Sequence, residues 1–199
     1  VRERGFVFVS VGYRLVPEVD VRTQAQDVAR ALAEVQRLAP GWGADPHRLV
    51  LMGHSAGAHL VALLSANPAL AGAQGAQRWR GTVVLDSAAL DTEGLMQRRH
   101  LRFYDRAFGT DPSLWRAVSP TAQAAPGSLP MLLVCASERR DDSCAQSAQF
   151  AARVRAVGGQ ATVLPQALSH GQINAQLGTA GDYTQAVDHF IDTLLNPVR

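Results

Sequence analysis

The residues best suited to chemistry lie at Gly53-His54-Ser55-Ala56-Gly57, between the apolar run Leu49-Val50-Leu51-Met52 and a small-residue stretch starting at Ala58. A G-x-S-x-G spacing where a strand turns sharply into a helix carries its serine on the tip of a tight bend. The serine sits in a strained backbone conformation there, and residues without a Cβ let strand and helix pass close to it. Its hydroxyl then projects at the positive end of a helix, a suitable place for a nucleophile in acyl transfer. The same spacing occurs in ordinary glycine-rich turns, so the flanks matter. Asp45-Pro46-His47-Arg48 reads as a turn launching a strand, and Leu60, Val61, Leu63 and Leu64 form the apolar face of a helix lying on a sheet.

A nucleophilic serine needs a base to take its proton and an acid to orient that base. His170, in Leu168-Ser169-His170-Gly171 after the last strand, is the expected base. His47, His54, His59, His100 and His189 fall before a strand, beside the nucleophile, in a helix, in a long connection and in the closing helix. The acid is expected from the loop Ala136-Ser137-Glu138-Arg139-Arg140-Asp141-Asp142-Ser143. Asp142 is favoured because the turn back into the next helix brings the loop's last residues toward the site; Asp141 comes second and Glu138 third. The carboxylates not used are expected to cap the helix or pair with the neighbouring arginines. One oxyanion donor is the backbone N–H of Ala56, next after the serine.

These groups need a scaffold, and strands alternate with helices along the chain. Strands are expected at 5–11, 48–52, 82–85, 131–135 and 161–164, and helices at 20–38, after the serine, at 145–157 and at 182–195. Near-continuous apolar strands alternating with helices predict an α/β fold: a mostly parallel sheet in one domain spanning 1–199, covered on both faces. Active groups in such sheets gather at the C-terminal strand ends. The exception is roughly 86–128, a long irregular connection with Phe103, Tyr104, Phe108 and Trp115. It reads as a cap-like insertion over the pocket, or as a surface excursion with its own small cluster.

With 199 residues, 47% of them hydrophobic, the chain has material for one substantial core. All 19 basic residues are arginine, which excludes lysine Schiff-base chemistry, a lysine-anchored cofactor and a lysine-bearing phosphate loop. A net charge of +2 with scattered arginines argues against nucleic acid. No apolar run approaches the about 20 residues of a membrane span. No cofactor and no metal are expected, only a small-molecule ester or amide substrate. Cys135 and Cys144 match no zinc or redox motif; two free thiols are the expectation, a bridge tying down the acidic loop the alternative. Oligomeric state and cellular address stay open.

Gly53-His54-Ser55-Ala56-Gly57-Ala58-His59-Leu60, together with Gly12-Tyr13-Arg14-Leu15-Val16-Pro17-Glu18, resembles the esterase/lipase group of α/β-hydrolases. That group includes carboxylesterases, feruloyl-esterase-like proteins and kynurenine formamidases. The resemblance implies an α/β-hydrolase fold with Ser55 as nucleophile, His170 as base and Asp142 or Asp141 as acid. The Ala58-His59 continuation is more similar to the formamidase and feruloyl-esterase branch. The group's His-Gly-Gly segment, source of its second oxyanion donor, is absent, and the chain starts without a methionine, so an N-terminally shortened member is expected. The implied activity is hydrolysis of carboxylic esters through an acyl-enzyme on Ser55. The alternatives are hydrolysis of an aryl formamide by the same triad, and a non-catalytic scaffold with an incomplete oxyanion hole.

Overall fold

The computed structural model describes residues 5–196. Its centre is a four-stranded sheet of β1 (Val50–His54), β2 (Gly81–Leu85), β3 (Met131–Ala136) and β4 (Ala161–Gln166), all parallel, in the order β1-β2-β3-β4. Every residue of β2 and β3 is buried, because helices cover both faces. Alternation along each strand divides the side chains between those faces. Val84, Met131 and Leu133 meet Ala58, Val61 and Ala62 of α2 (Ala56–Ala66) and Phe150, Ala151 and Val154 of α8 (Ser143–Ala156). On the other face Val83, Leu85, Leu132 and Val134 meet Ile173 of α9 (His170–Gln176) and Val187 of α10 (Asp182–Leu195).

Helix α1 (Val21–Leu38) begins where expected: the Asp20 carboxylate accepts the Thr23 N–H at 2.7 Å, an N-cap. Its apolar stripe of Val21, Ala25, Val28, Ala29 and Leu32 packs with Leu60, Leu63 and Leu64 of α2. After α2 comes the single turn α3 (Ala69–Gly72). The connection 86–128 folds into four short helices, α4 (Thr92–Met96), α5 (Phe103–Phe108), α6 (Pro112–Ala117) and α7 (Pro120–Gln123). Its apolar residues Leu95, Met96, Tyr104, Phe108 and Val118 belong to the same cluster as α1 and α2, not to a small core of their own.

Two expectations are corrected. Residues 5–11 are not a buried strand: Val7, Phe8, Val9 and Val11 are exposed, and the segment pairs with no described strand. An apolar run becomes a strand only where a neighbour supplies hydrogen-bond partners, and β1, with Met52 exposed, is an edge. The cysteines are not free thiols: Cys135 and Cys144 form a disulfide with sulfurs 2.06 Å apart. Among the described residues no helix is long and apolar enough to cross a membrane.

His59 on α2 makes the core sensitive to acid. Its Nδ1 bonds the Ala89 carbonyl at 3.0 Å, its Nε2 has no partner, and burial pushes its pKa down to about 4. An unfolded histidine takes up a proton near pH 6.5. Between about pH 6.5 and about 4 the unfolded chain therefore binds the proton that the folded chain refuses, and stability falls as pH falls through that window. The expected loss from this residue is about 3 kcal/mol. Urea titrations at several pH values check it: the His59→Gln variant should lose much less stability over the same range.

Candidate active site

Parallel register aligns the strand ends that carry the site. His54 lies opposite Leu85, Leu85 opposite Val134, and Ala136 opposite Gln166. Ser55, Asp86, the loop after Ala136 and His170 therefore leave the sheet at one edge.

Ser55 has φ 58° and ψ −116°, a left-handed backbone that side chains adopt only at a cost of about 1–3 kcal/mol. The Ser55 N–H donates to the Leu85 carbonyl at 3.1 Å, and its carbonyl accepts the His59 N–H at 3.1 Å, so the bend is held on both sides. Of the two flanking glycines only Gly53 is sterically required. A Cβ there would lie 2.4 Å from the Gly57 carbonyl oxygen, whereas one on Gly57 would meet nothing within 4 Å. Gly53→Ala should thus open the bend and cost about 100-fold or more in turnover, the effect of displacing a reacting group by about 1 Å. Gly57→Ala, inside α2, should leave thermal stability unchanged or raise it by about 0.4–1 kcal/mol; calorimetry and ester assays on both variants check the contrast. Ala56 opens α2, and the first N–H groups of a helix have no partner within it.

His170 is the first residue of α9. A capping box fixes it: Ser169 Oγ accepts the Gln172 N–H, and Gln172 Oε1 accepts the Ser169 N–H at 2.9 Å. His54 supplies a second anchor, with Nε2 donating to the His170 carbonyl at 2.9 Å and the two rings 4.4 Å apart. Burial lowers the His54 pKa, which suits a neutral imidazole in this supporting place. So anchored, His170 presents Nε2 at 2.9 Å from Ser55 Oγ.

The carboxylate at the other ring nitrogen is Asp86, whose Oδ2 is 2.6 Å from His170 Nδ1. Asp86 is the first residue after β2, with φ 56° and a fully buried side chain. Burial pushes its pKa up. The Ala136 N–H on Oδ1 at 2.9 Å, the Arg139 guanidinium on Oδ2 at 2.8 Å and the His170 ring outweigh that, so the net shift is downward and the group is ionised.

The structure brings neither Asp142 nor Asp141, the acids expected from the sequence, to the His170 ring, where Asp86 lies instead. Asp141 is held by the Arg139 fork through Nε and Nη2. Asp142 is exposed at the start of α8 with φ 56°, and its side chain caps nothing. Glu138 is exposed in the same loop. Asp86 lies between Ser55 and His170 in the chain, and a signal for it existed: an aspartate directly after the apolar run Val83-Val84-Leu85, at a C-terminal strand end. Arg139 is the second residue that sequence reading left out of the site. Among the described residues no group of three or more His, Cys, Asp or Glu side chains could hold a metal ion.

The model of a family described by the alpha/beta hydrolase fold matches residues 1–171, most of the chain. The chain belongs to the α/β-hydrolase fold family. It is 31% identical over 167 residues to the esterase LipQ of Mycobacterium tuberculosis, a match covering 78% of this chain and 40% of LipQ. Lipase 2 of a Moraxella strain is 40% identical over 63 residues, 32% of this α/β-hydrolase and 14% of the lipase. The chain thus spans less than half the length of these curated relatives. Among solved structures, apo Thermogutta terrifontis esterase 2 superposes with TM-score 0.69 at 25% identity, over 90% of this chain and 69% of that one. An acetyl ester-xyloside bifunctional hydrolase from Caldicellulosiruptor lactoaceticus shares the fold, with TM-score 0.73 at 19% identity, over 92% of this chain and 70% of that one.

Proposed function

We propose that this α/β-hydrolase cleaves carboxylic esters of small molecules through an acyl-enzyme, with Ser55 as nucleophile, His170 as general base and acid, and Asp86 as the acid that orients His170. The observation that carries the reading is the unbroken chain Ser55 Oγ, His170 Nε2, His170 Nδ1, Asp86 Oδ2, with contacts of 2.9 and 2.6 Å across the ring. In the first step His170 Nε2 takes the hydroxyl proton as Ser55 Oγ bonds to the carbonyl carbon. The negative charge moves to the carbonyl oxygen, where the Ala56 N–H at the positive end of α2 stabilises it. Collapse of that intermediate breaks the ester bond, and His170 returns the proton to the departing alkoxide. Water then attacks the acyl-enzyme with His170 again as base, releasing the acid and restoring Ser55.

The segment 86–128 is assigned as the cap of this site. It starts at Asp86, and it shares a cavity of about 430 Å³ with the loop after β3 and the first turn of α8 through Ala88, Leu95, Tyr104, Arg140, Asp141 and Gln146. The esterases among the similar proteins favour an ester over an aryl formamide.

The test is turnover of a 4-nitrophenyl ester beside N-formylkynurenine, with labelling by a fluorophosphonate probe. Ester hydrolysis with labelling at Ser55 is expected. Faster cleavage of the formamide would move the scissile bond to an amide. A folded protein that neither turns over ester nor takes the label would be a scaffold.

A further inference from the structure

The contact between Asp86 and His170 has a third participant. Arg139 Nη1 stands 2.8 Å from Asp86 Oδ2 and also 2.8 Å from His170 Nδ1, while Nε and Nη2 grip Asp141. These contacts cannot all be hydrogen bonds at once. If Nδ1 carries a proton, the ring and the guanidinium both donate to Oδ2 and crowd each other. If Nδ1 is bare, the guanidinium donates to it and the carboxylate faces a lone pair. A bond to an ionised oxygen is the stronger one, so the ring proton belongs on Nδ1 and Nε2 is left open toward Ser55. The guanidinium then shares the Asp86 charge with the ring.

That sharing has an electrostatic consequence. A buried carboxylate with no other counter-charge holds a protonated imidazole as its ion pair, and a protonated ring cannot accept a proton from serine. With a permanent cation already on Oδ2, the carboxylate's charge beside the ring is partly offset. The other titratable groups around the pair do not supply such a cation. His54, stacked on His170, has its pKa lowered by burial. Burial raises those of Tyr104, which interacts with Arg139, and Tyr183, whose hydroxyl donates to the Ile173 carbonyl. Asp141 carries the opposite sign and serves as the second carboxylate of the Arg139 clamp.

The loop keeps the guanidinium in place. Arg139 is 16% exposed, and its loop is closed by the Cys135–Cys144 disulfide, one end in β3 and the other in the first turn of α8. Within the loop Ser143 Oγ donates to the Ala136 carbonyl at 3.2 Å, and Ser137 N–H to the Gln166 carbonyl at 2.9 Å.

We propose that Arg139, presented by the disulfide-closed loop, is a positioning residue that shares Asp86 with His170, offsets the carboxylate's charge beside the ring and leaves Nε2 open to Ser55. The proposal rests on the ester-hydrolase reading and deepens it.

Profiles of kcat/KM against pH for a 4-nitrophenyl ester test it in the full chain. Arg139→Gln keeps a hydrogen-bond donor but loses the charge, and its acid limb should move up by about one pH unit. Arg139→Lys keeps the charge and loses the fork, and its limb should stay with the wild type. A lower plateau in Arg139→Gln with an unmoved limb would reduce Arg139 to a packing role and overturn the proposal; so would an equal shift in both variants. The bridge is tested by Cys135→Ala/Cys144→Ala, or by the reduced wild type where circular dichroism shows that variant unfolded. Either should move the limb in the direction of Arg139→Gln, with no further movement when Arg139→Gln is added. An unmoved limb without the bridge removes the loop closure from the proposal. Failure of the ester-hydrolase reading shows separately, as a wild type that neither takes a fluorophosphonate label nor turns over ester.

Discussion

Ser55→Ala is expected to lower kcat on a 4-nitrophenyl ester by roughly 10⁶-fold and to abolish fluorophosphonate labelling, while the thermal unfolding midpoint stays near that of the wild type. The magnitude is that of removing the nucleophile from a serine triad whose members act as one unit. The structural argument is that Ser55 Oγ is the hydroxyl at bonding distance from His170 Nε2, at the start of a helix. Alanine accepts the left-handed backbone at position 55 no worse than serine does, so the bend survives the change. A variant that retained even one hundredth of the activity would place the nucleophile elsewhere.

Asp86→Asn should cost roughly 10⁴-fold in kcat, the loss expected when the group on Nδ1 stops stabilising the working tautomer and the charge that forms on the ring. Asp142→Asn should leave turnover close to wild type, because its carboxylate is exposed and caps nothing. The pair of variants discriminates between the acid that the loop after β3 suggested and the one that contacts the ring. Asp86→Asn also removes one of the two carboxylates paired with Arg139, which keeps Asp141, so some loss of stability is expected. Its kcat is therefore to be measured below its own unfolding midpoint and referred to the folded fraction by circular dichroism. Equal losses in both variants, or a larger loss in Asp142→Asn, would return the acid to the loop after β3.

The contrast between Asp86 and Asp142 reflects which information is local. The bend at Ser55 is legible because a strand, a glycine with no room for a Cβ and a helix occur within a dozen residues, and backbone sterics act at that range. The same holds for the Asp20 cap of α1 and for the placing of His170 after the last strand. The apolar strands β1 to β4 and the parallel architecture were legible from their alternation with helices. The segment 5–11 was misread as a strand because apolar composition marks what a residue prefers to bury and says nothing of whether a pairing edge is in reach.

By itself, then, the sequence determined the fold, the candidate nucleophile and the candidate base, since each is written in a short window of glycine positions, apolar periodicity and turn chemistry. Only the tertiary structure decided which carboxylate meets the base, that Arg139 joins them and that the two cysteines are bonded. Asp86 and His170 are 84 positions apart, and they touch because strand register aligns β2 and β3 and helix packing sets α9 over them. On paper the three acidic residues of one loop rank Asp142, Asp141, Glu138. In space the buried contact goes to the one carboxylate that the sheet edge carries beneath the ring.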